Sequence, residues 1–84
     1  MNKGRKTSAR MRLEELRKAR QTTQAEVAQN LGVYQGEVSK IEHRKDICLS
    51  TLYEYVRALG GRLEILAVFP EGDVRITQFE NLPE

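Results

Sequence analysis

The chain has 84 residues, 39% of them hydrophobic, which is enough for one small domain with a modest core. Its single cysteine excludes an internal disulfide and suits a reducing cytoplasm, and it has neither a secretory signal nor an apolar run near the roughly 20 residues of a membrane helix. Residues 1–20 hold eight basic and two acidic side chains, whereas residues 62–84 hold two basic and five acidic ones. The N-terminal part of the chain therefore suits a polyanionic partner.

Residues 1–7 are polar and basic and predict a flexible arm, which either contacts phosphates or is disordered with incidental charge. Ser8 can cap a first helix that runs to about Arg20. The inward stripe of this helix consists of Ala9, Leu13 and Leu16. Five cations are expected outside that stripe, the last three of them near the helix C-terminus, where the dipole favours positive charge: Arg10, Arg12, Arg17, Lys18 and Arg20.

Residues 23–42 predict two short helices that are joined by a tight turn. Thr23 is followed three residues later by Glu26, which is a capping box and should begin the first of them. Val27, Ala28 and Leu31 then recur at helical spacing. Gly32 follows at the expected helix end, where the backbone can adopt a positive φ.

The second of these helices has an apolar side and a polar side. We expect Val33, Val38 and Ile41 to be buried. The two helices should cross at Ala28, where a larger side chain would push them apart. The outward positions are Gln35, Gly36, Glu37, Ser39, Lys40 and His43.

Residues 43–61 should form a charged connector and one more helix. Ile47 and Leu49 are expected to point inward, and Cys48 to be a small buried residue. Ser50 can cap a helix that ends near Leu59 and stops at Gly60 and Gly61, with Leu52, Val56 and Leu59 on one face. The connector either lengthens the preceding helix or forms a turn without glycine.

From residue 62 the pattern changes to the alternation of a β-strand. Residues 62–69 and 74–79 predict two strands around a turn at residues 70–73, so residues 62–80 form a hairpin and residues 81–84 a loose end. A lone hairpin is marginal in water, and the first strand is apolar on both faces. We therefore expect it to pair with a second copy of the chain, although it could instead fold back on its own helices. The expected dimer contacts are Leu63, Ile65, Leu66, Val68 and Phe69.

The pattern from Gln24 onward resembles the helix-turn-helix of the Cro/Xre repressor family. The matching features are an alanine at the fifth position, a glycine at the ninth and apolar residues at the tenth, fifteenth and eighteenth. The resemblance covers roughly residues 13–60; the alternative is an ordinary helical hairpin that packs a core. It implies a mainly α fold of four or five helices, a DNA-binding domain over residues 8–61, and the β-hairpin behind it.

The resemblance also implies residues that would contact DNA. Those that would read base edges in the major groove are Gln35, Gly36, Glu37, Ser39 and Lys40. Those that would contact the sugar–phosphate backbone are Thr23, Gln24, Tyr34, His43, Arg44 and Lys45. Tyr34 departs from the family, which often has Ser or Thr there as an N-cap; its ring either packs near the turn or carries its hydroxyl to a phosphate.

The function that this resemblance implies is a cytoplasmic, nucleoid-associated repressor of a bacterium or phage, which binds a palindromic operator in double-stranded DNA as a homodimer. The size and the hairpin also resemble HigA-like antitoxins of type II toxin–antitoxin modules, whose partner is a ribonuclease-type toxin. The alternative is a protein-binding adaptor or a toxin-neutralising module with little DNA binding. The residues offer no catalytic constellation and no paired metal ligands, so we expect no enzyme, no cofactor and no metal.

Overall fold

The computed structural model describes residues 10–79, which form four helices followed by one β-hairpin. The helices are α1 (Leu13–Ala19), α2 (Gln24–Leu31), α3 (Gln35–His43) and α4 (Leu49–Ala58), and the strands are β1 (Leu66–Phe69) and β2 (Gly72–Arg75). This order confirms the predicted mainly α fold with a C-terminal hairpin. The basic arm, the Ser8 cap, Ala9 and the end of the chain from residue 80 lie outside the described residues.

Helix α1 begins later than the sequence suggested. Residues 10–12 are not helical, and Arg12 is the N-cap. The backbone N–H of Arg12 donates to Glu15 Oε1 at 2.9 Å, so a carboxylate in the first turn supplies the cap. Gln21 adopts a positive φ of 55° just after the helix, which turns the chain toward α2.

Helix α2 confirms both of its predicted ends. The N–H of Glu26 donates to Thr23 Oγ1 at 3.1 Å, and the N–H of Thr23 donates to Glu26 Oε1 at 2.8 Å, which completes the capping box. Gly32 adopts the left-handed conformation with φ 73°, where a side chain would be strained. The Val33 N–H then donates to the Ala28 carbonyl at 3.0 Å and closes the turn.

The core lies where α2, α3 and α4 meet. Its buried members are Val27, Ala28, Val38, Ile41, Tyr55 and Leu59, against which Leu13, Leu16, Leu31, Ile47 and Ala58 pack. Tyr55 is the largest side chain with no exposure, and the sequence pattern of α4 did not identify it. The prediction that Val33 is buried is wrong, because its side chain is 38% exposed beyond the turn.

Helix α4 begins two residues earlier than predicted, because Cys48 rather than Ser50 is the N-cap residue. Cys48 has extended backbone angles and is exposed, so the prediction of a small buried cysteine is also wrong. The predicted stop is confirmed: Gly60 has a φ of 91° and the Gly61 N–H donates to the Val56 carbonyl at 3.1 Å.

The hairpin is shorter than the alternating pattern. Each strand has four residues, and the antiparallel register pairs Leu66 with Arg75 and Phe69 with Gly72. Pro70 and Glu71 alone form the loop, so two residues that were predicted to turn belong to β2. One more backbone bond, from the Ile76 N–H to the Ile65 carbonyl at 2.9 Å, extends the ladder. Because β1 begins at Leu66, residues 62–65 lie outside the strand that was predicted to include them. Among the described residues, no helix is long and apolar enough to cross a membrane.

Candidate nucleic-acid interface

Helix α3 presents a polar ridge at its N-terminal half. Val38 and Ile41 are buried against the core and fix which side of the helix faces outward. The five residues that were predicted to read bases all lie on this helix: Gln35, Gly36 and Lys40 are exposed, and Glu37 and Ser39 are half-buried. The ridge is therefore accessible to the major groove of a duplex without any rearrangement of the core.

The residues that were predicted to contact the backbone lie at the two ends of the motif. Thr23 and Gln24 begin α2, and Arg44 and Lys45 follow α3 and are exposed. A shallow groove beside the start of α2 has a lining of both charges, which consists of Glu14, Arg17, Lys18, Gln21, Thr22, Thr23, Gln24 and Gln35. Backbone N–H groups at a helix start favour anions, and this groove joins them to the ridge.

Tyr34 and His43 both have side chains in solvent. Tyr34 is 88% exposed and makes no side-chain cap, so the alternative in which its ring packs near the turn is not observed. Its hydroxyl is accessible at the N-terminus of α3. The Nδ1 of His43 lies 2.8 Å from the Ser39 carbonyl oxygen, which holds the exposed ring at the end of the same helix.

An ion pair that the sequence analysis missed lies beneath the motif. Arg17 was expected outside the apolar stripe of α1, but its side chain is 8% exposed and its Nε donates to Glu42 Oε2 at 2.7 Å. Arg17 Nη2 donates to Glu42 Oε1 at 3.3 Å, and Nη1 donates to the Thr22 carbonyl at 3.0 Å. The guanidinium therefore ties α1 to the end of α3 and to the turn before α2.

The Glu42 carboxylate accepts from two further side chains. Tyr55 Oη donates to Glu42 Oε2 at 2.5 Å, and Gln24 Nε2 donates to Oε1 at 3.0 Å. Burial alone would raise the pKa of Glu42, but the hydrogen bonds from Arg17, Tyr55 and Gln24 outweigh it and lower that pKa. The pKa of Tyr55 is raised by burial and by its bond to Glu42. The carboxylate is therefore the charged centre of a network that contacts all four helices.

The spacing of this network was visible in the sequence. Arg17 lies four residues after Leu13 and one after Leu16, which places it on the same side of its helix. Glu42 has the same spacing from Val38 and Ile41 on the other helix. A cation and an anion on two apolar stripes indicate a buried pair. The network continues outward, because Gln35 Nε2 donates to Gln24 Oε1 at 3.4 Å.

The hairpin exposes apolar side chains on both faces. Leu66, Val68 and Phe69, which were predicted to lie in a dimer interface, are 42%, 72% and 52% exposed. Val74, which was not predicted, is 55% exposed beside them. Leu63 and Ile65 are half-buried. The hairpin thus carries several exposed apolar side chains close together, which is typical of an interaction surface.

No group of three or more potential metal ligands is present among residues 10–79. Cys48 and His43 are both exposed and lie on either side of the connector between α3 and α4. Neither residue is part of a nucleophile–base pair in the described hydrogen bonds.

Known proteins resemble this arrangement. A family model described as a helix-turn-helix domain matches residues 2–67. A Mycobacterium tuberculosis protein whose provisional name is antitoxin HigA3 is 47% identical over 72 residues, which cover 79% of this chain and 63% of the relative. The chain therefore spans less than two thirds of the length of that curated relative.

Two solved structures have a similar fold. One, described as "Induced DNA bending by unique dimerization of HigA antitoxin", has a TM-score of 0.76 and 44% identity over 84% of this chain and 97% of the other. The second, described as "DNA bound antitoxin HigA3", has a TM-score of 0.76 and 45% identity over 87% of this chain and 97% of the other. Because the family model matches well over half of the chain, and the α2–turn–α3 geometry agrees with it, the protein belongs to the helix-turn-helix domain family.

Proposed function

We propose that the protein is a sequence-specific DNA-binding regulator, which represses transcription by occupying a palindromic operator as a homodimer. The observation that supports this most directly is the polar ridge of α3, which projects from a buried underside in a fold similar to that of an antitoxin described as DNA bound. The exposed cations that follow α3 fit the negative charge of a duplex.

In this proposal the ridge reads bases by their hydrogen-bonding groups. Gln35 pairs with adenine through its amide, Lys40 donates to guanine, and Glu37 accepts from a cytosine amine. Ser39 lies close enough to contribute a hydroxyl contact. Gly36 has no side chain, so at its step the helix backbone can approach the duplex closely.

The flanking residues position the ridge. Thr23 and Gln24 offer the start of α2 to one phosphate, while His43, Arg44 and Lys45 contact the backbone beyond the other end of α3. The exposed Tyr34 hydroxyl reaches a phosphate at the start of α3. These contacts carry no sequence information themselves, but they fix the register in which the base contacts are made.

Homodimer formation through the hairpin would present two such ridges to one operator. Half-sites one helical turn apart require ridges about 34 Å apart. In this proposal the partner covers Leu66, Val68 and Phe69 of the hairpin, which follows α4, and leaves the exposed ridge of α3 open. Dimerisation is also named in the description of one similar structure.

The test is an operator selection followed by a variant. Duplexes that the wild-type protein retains from a random pool should share a palindrome. We expect Gln35→Ala to weaken binding to that duplex and to relax the preference at one base step in each half, while the fold is unchanged. Gln29→Ala, at an exposed glutamine of α2, is the matched control. An identical footprint and affinity for Gln35→Ala would refute this role of the ridge.

An antitoxin function is the second candidate, because the similar proteins are named as antitoxins. In that case the chain also neutralises a ribonuclease-type toxin, and represses the operon that encodes both. Co-expression with the adjacent reading frame tests it: the chain should form a complex with that product and restore growth. Absence of both effects would remove the antitoxin claim.

We propose no catalytic activity and no resident cofactor for this protein, and we place its function in the cytoplasm with the DNA. An adaptor that keeps the fold and binds little DNA is the competing proposal. The exposed Gln35 and Lys40 favour DNA, whereas Gly36 mildly favours the adaptor. A selection that enriches no duplex would support the adaptor.

A further inference from the structure

An exposed ion pair lies in the groove beside the start of α2. Lys18 Nζ lies 3.1 Å from Glu14 Oε2, four residues earlier on α1, and the two side chains are 65% and 42% exposed. The same groove contains Thr23 and Gln24, which are proposed to meet a phosphate, and extends to Gln35 on the ridge. The pair therefore lies where the sugar–phosphate backbone of a duplex is proposed to dock.

The exposed charges of this groove cancel. Arg17 also lines it, but its guanidinium is 8% exposed and is paired with Glu42, so that its charge is compensated inside the protein. The charges that remain at the surface of the groove are the ammonium of Lys18 and the carboxylate of Glu14. A phosphate that enters the groove thus meets a cation that an anion already neutralises.

The Glu14 carboxylate is ionised at neutral pH. Its pKa is lowered by the hydrogen bond and charge of Lys18 and, to a smaller extent, by the charge of His43. His43 ends α3 and is itself a proposed phosphate contact, so the carboxylate is within electrostatic reach of both ends of the motif. An anion at this position repels phosphates, whichever bases lie in the major groove.

We infer that Glu14 limits the affinity of the protein for every duplex, because it neutralises Lys18 in the free protein and repels the phosphate that Lys18 would bind. The inference rests on the proposed function, in which the start of α2 meets a phosphate. The flexible Lys18 side chain exchanges the Glu14 carboxylate for that phosphate when a duplex binds. An exposed pair contributes little in water, so the exchange costs little and the main effect is the repulsion that persists in the complex.

The effect concerns the sequence-independent part of binding. Phosphate contacts supply most of the affinity for random DNA, and they are the same for every sequence. An anion beside them therefore weakens binding to operator and random duplexes by the same factor and leaves the ratio of the two affinities unchanged. Its consequence is a shorter residence on non-operator DNA, from which the protein can then move to another site.

The experiment measures binding of the wild-type chain and its variants to the selected operator and to a random duplex of equal length. We expect Glu14→Gln to raise both affinities by about tenfold, which is about threefold for each half-site. Lys18→Ala should lower both by a similar factor. The double variant should bind within about twofold of the wild-type protein, since its groove again carries no net exposed charge.

Salt and two further variants separate this effect from others. The differences should shrink when salt rises from about 0.1 to 0.4 M, because the Debye length falls by about half. Glu54→Gln makes the same change in a separate groove between α2 and α4, and should leave both affinities unchanged. Glu14→Asp retains the charge and should bind like the wild-type protein. Urea unfolding verifies that each variant is folded under the conditions of the binding assay.

Each other outcome contradicts the inference. Unchanged or weaker binding by Glu14→Gln would overturn it, as would an equal gain from Glu54→Gln, which would assign the effect to net charge alone. A gain for the operator but not for the random duplex would show that Glu14 acts on base recognition instead. A wild-type protein that binds neither duplex at any salt concentration would contradict the proposed function itself.

Discussion

Arg17 Nε lies 2.7 Å from Glu42 Oε2, and the two side chains are 8% and 0% exposed. They are 25 positions apart in the chain, so the pair connects α1 to the last turn of α3. Such a pair is weak evidence for net stability, because each charge had to leave water. Removal of one partner, however, leaves the other charge buried without compensation. The pair therefore favours one orientation of α3 relative to α1.

We expect Glu42→Leu to lower the free energy of unfolding by about 3–5 kcal/mol, since Arg17 would then remain charged and buried. The double variant Arg17→Met with Glu42→Leu removes both charges and should recover much of that loss. Urea unfolding followed by circular dichroism measures both. Equal stability of the single and double variants would mean that the uncompensated charge is not the cause.

The second prediction concerns acid. The folded-state pKa of Glu42 is lowered from 4.5, so the unfolded chain takes up a proton before the folded chain does. The stabilisation from this group is present above pH 4.5, begins to decrease below it, and is lost as the pH falls through the folded-state pKa. We expect the free energy of unfolding to decrease over that window in the wild-type protein.

Glu42→Gln should flatten this dependence, because the group no longer titrates. Glu14 is the matched control: its pKa is also lowered, by the hydrogen bond and charge of Lys18, but the pair is exposed. Glu14→Gln should therefore change the pH profile much less than Glu42→Gln. A profile of Glu42→Gln that still parallels the wild-type curve would assign the acid sensitivity to other carboxylates.

Local patterns predicted those parts of the fold that local interactions determine. The capping box at Thr23 and the left-handed Gly32 need only a few neighbouring residues, and both were predicted correctly. The Cys48 cap and the short strands were not, because a helix start depends on packing and a strand needs a partner at each position. The burial of Arg17 was missed although its spacing from Leu13 and Leu16 indicates it, because the partner that compensates its charge, Glu42, is 25 positions away. The ridge was predictable because Val38 and Ile41 define its opposite side.

The two glycines of the motif should respond to alanine in opposite ways. Gly32 has φ 73°, so Gly32→Ala forces a side chain into the left-handed region and should destabilise the fold by about 1–2 kcal/mol. Gly36 lies within α3 with no atom within 4 Å of the position of an added Cβ. Gly36→Ala should therefore stabilise the fold, by up to about 1 kcal/mol. Thermal unfolding of the two variants tests this contrast.

Gly36→Ala should nevertheless weaken DNA binding if the backbone of α3 approaches the duplex closely at this step. A variant that is more stable but binds less tightly would separate the role of the site from the role of the fold. Unchanged affinity for the selected duplex would mean that the duplex lies at least a methyl group away from Gly36.

Binding to DNA should decrease steeply as salt increases. Each phosphate that a cation neutralises contributes about −0.9 to the slope of log K against log salt concentration. Arg44→Ala and Lys45→Ala should each make the slope less negative by about one per protomer, and should weaken binding to all sequences alike. Arg57→Ala is the control, because that guanidinium lies over the Tyr53 ring on α4. A slope near zero for the wild-type protein would contradict phosphate contacts by Arg44 and Lys45.

The final prediction tests the hairpin as the dimer interface. Phe69→Asp places a charge on the exposed apolar surface of β1, where a partner chain would have to bury it. We expect this variant to sediment as a folded monomer at concentrations at which the wild-type protein is a dimer. Met11→Asp is a matched control, because Met11 and Phe69 are both 52% exposed but Met11 lies before α1. The monomeric variant should also bind a single half-site duplex and lose most of its affinity for the full palindrome. A dimer that persists in Phe69→Asp, or that Met11→Asp disrupts equally, would place the interface elsewhere on the chain.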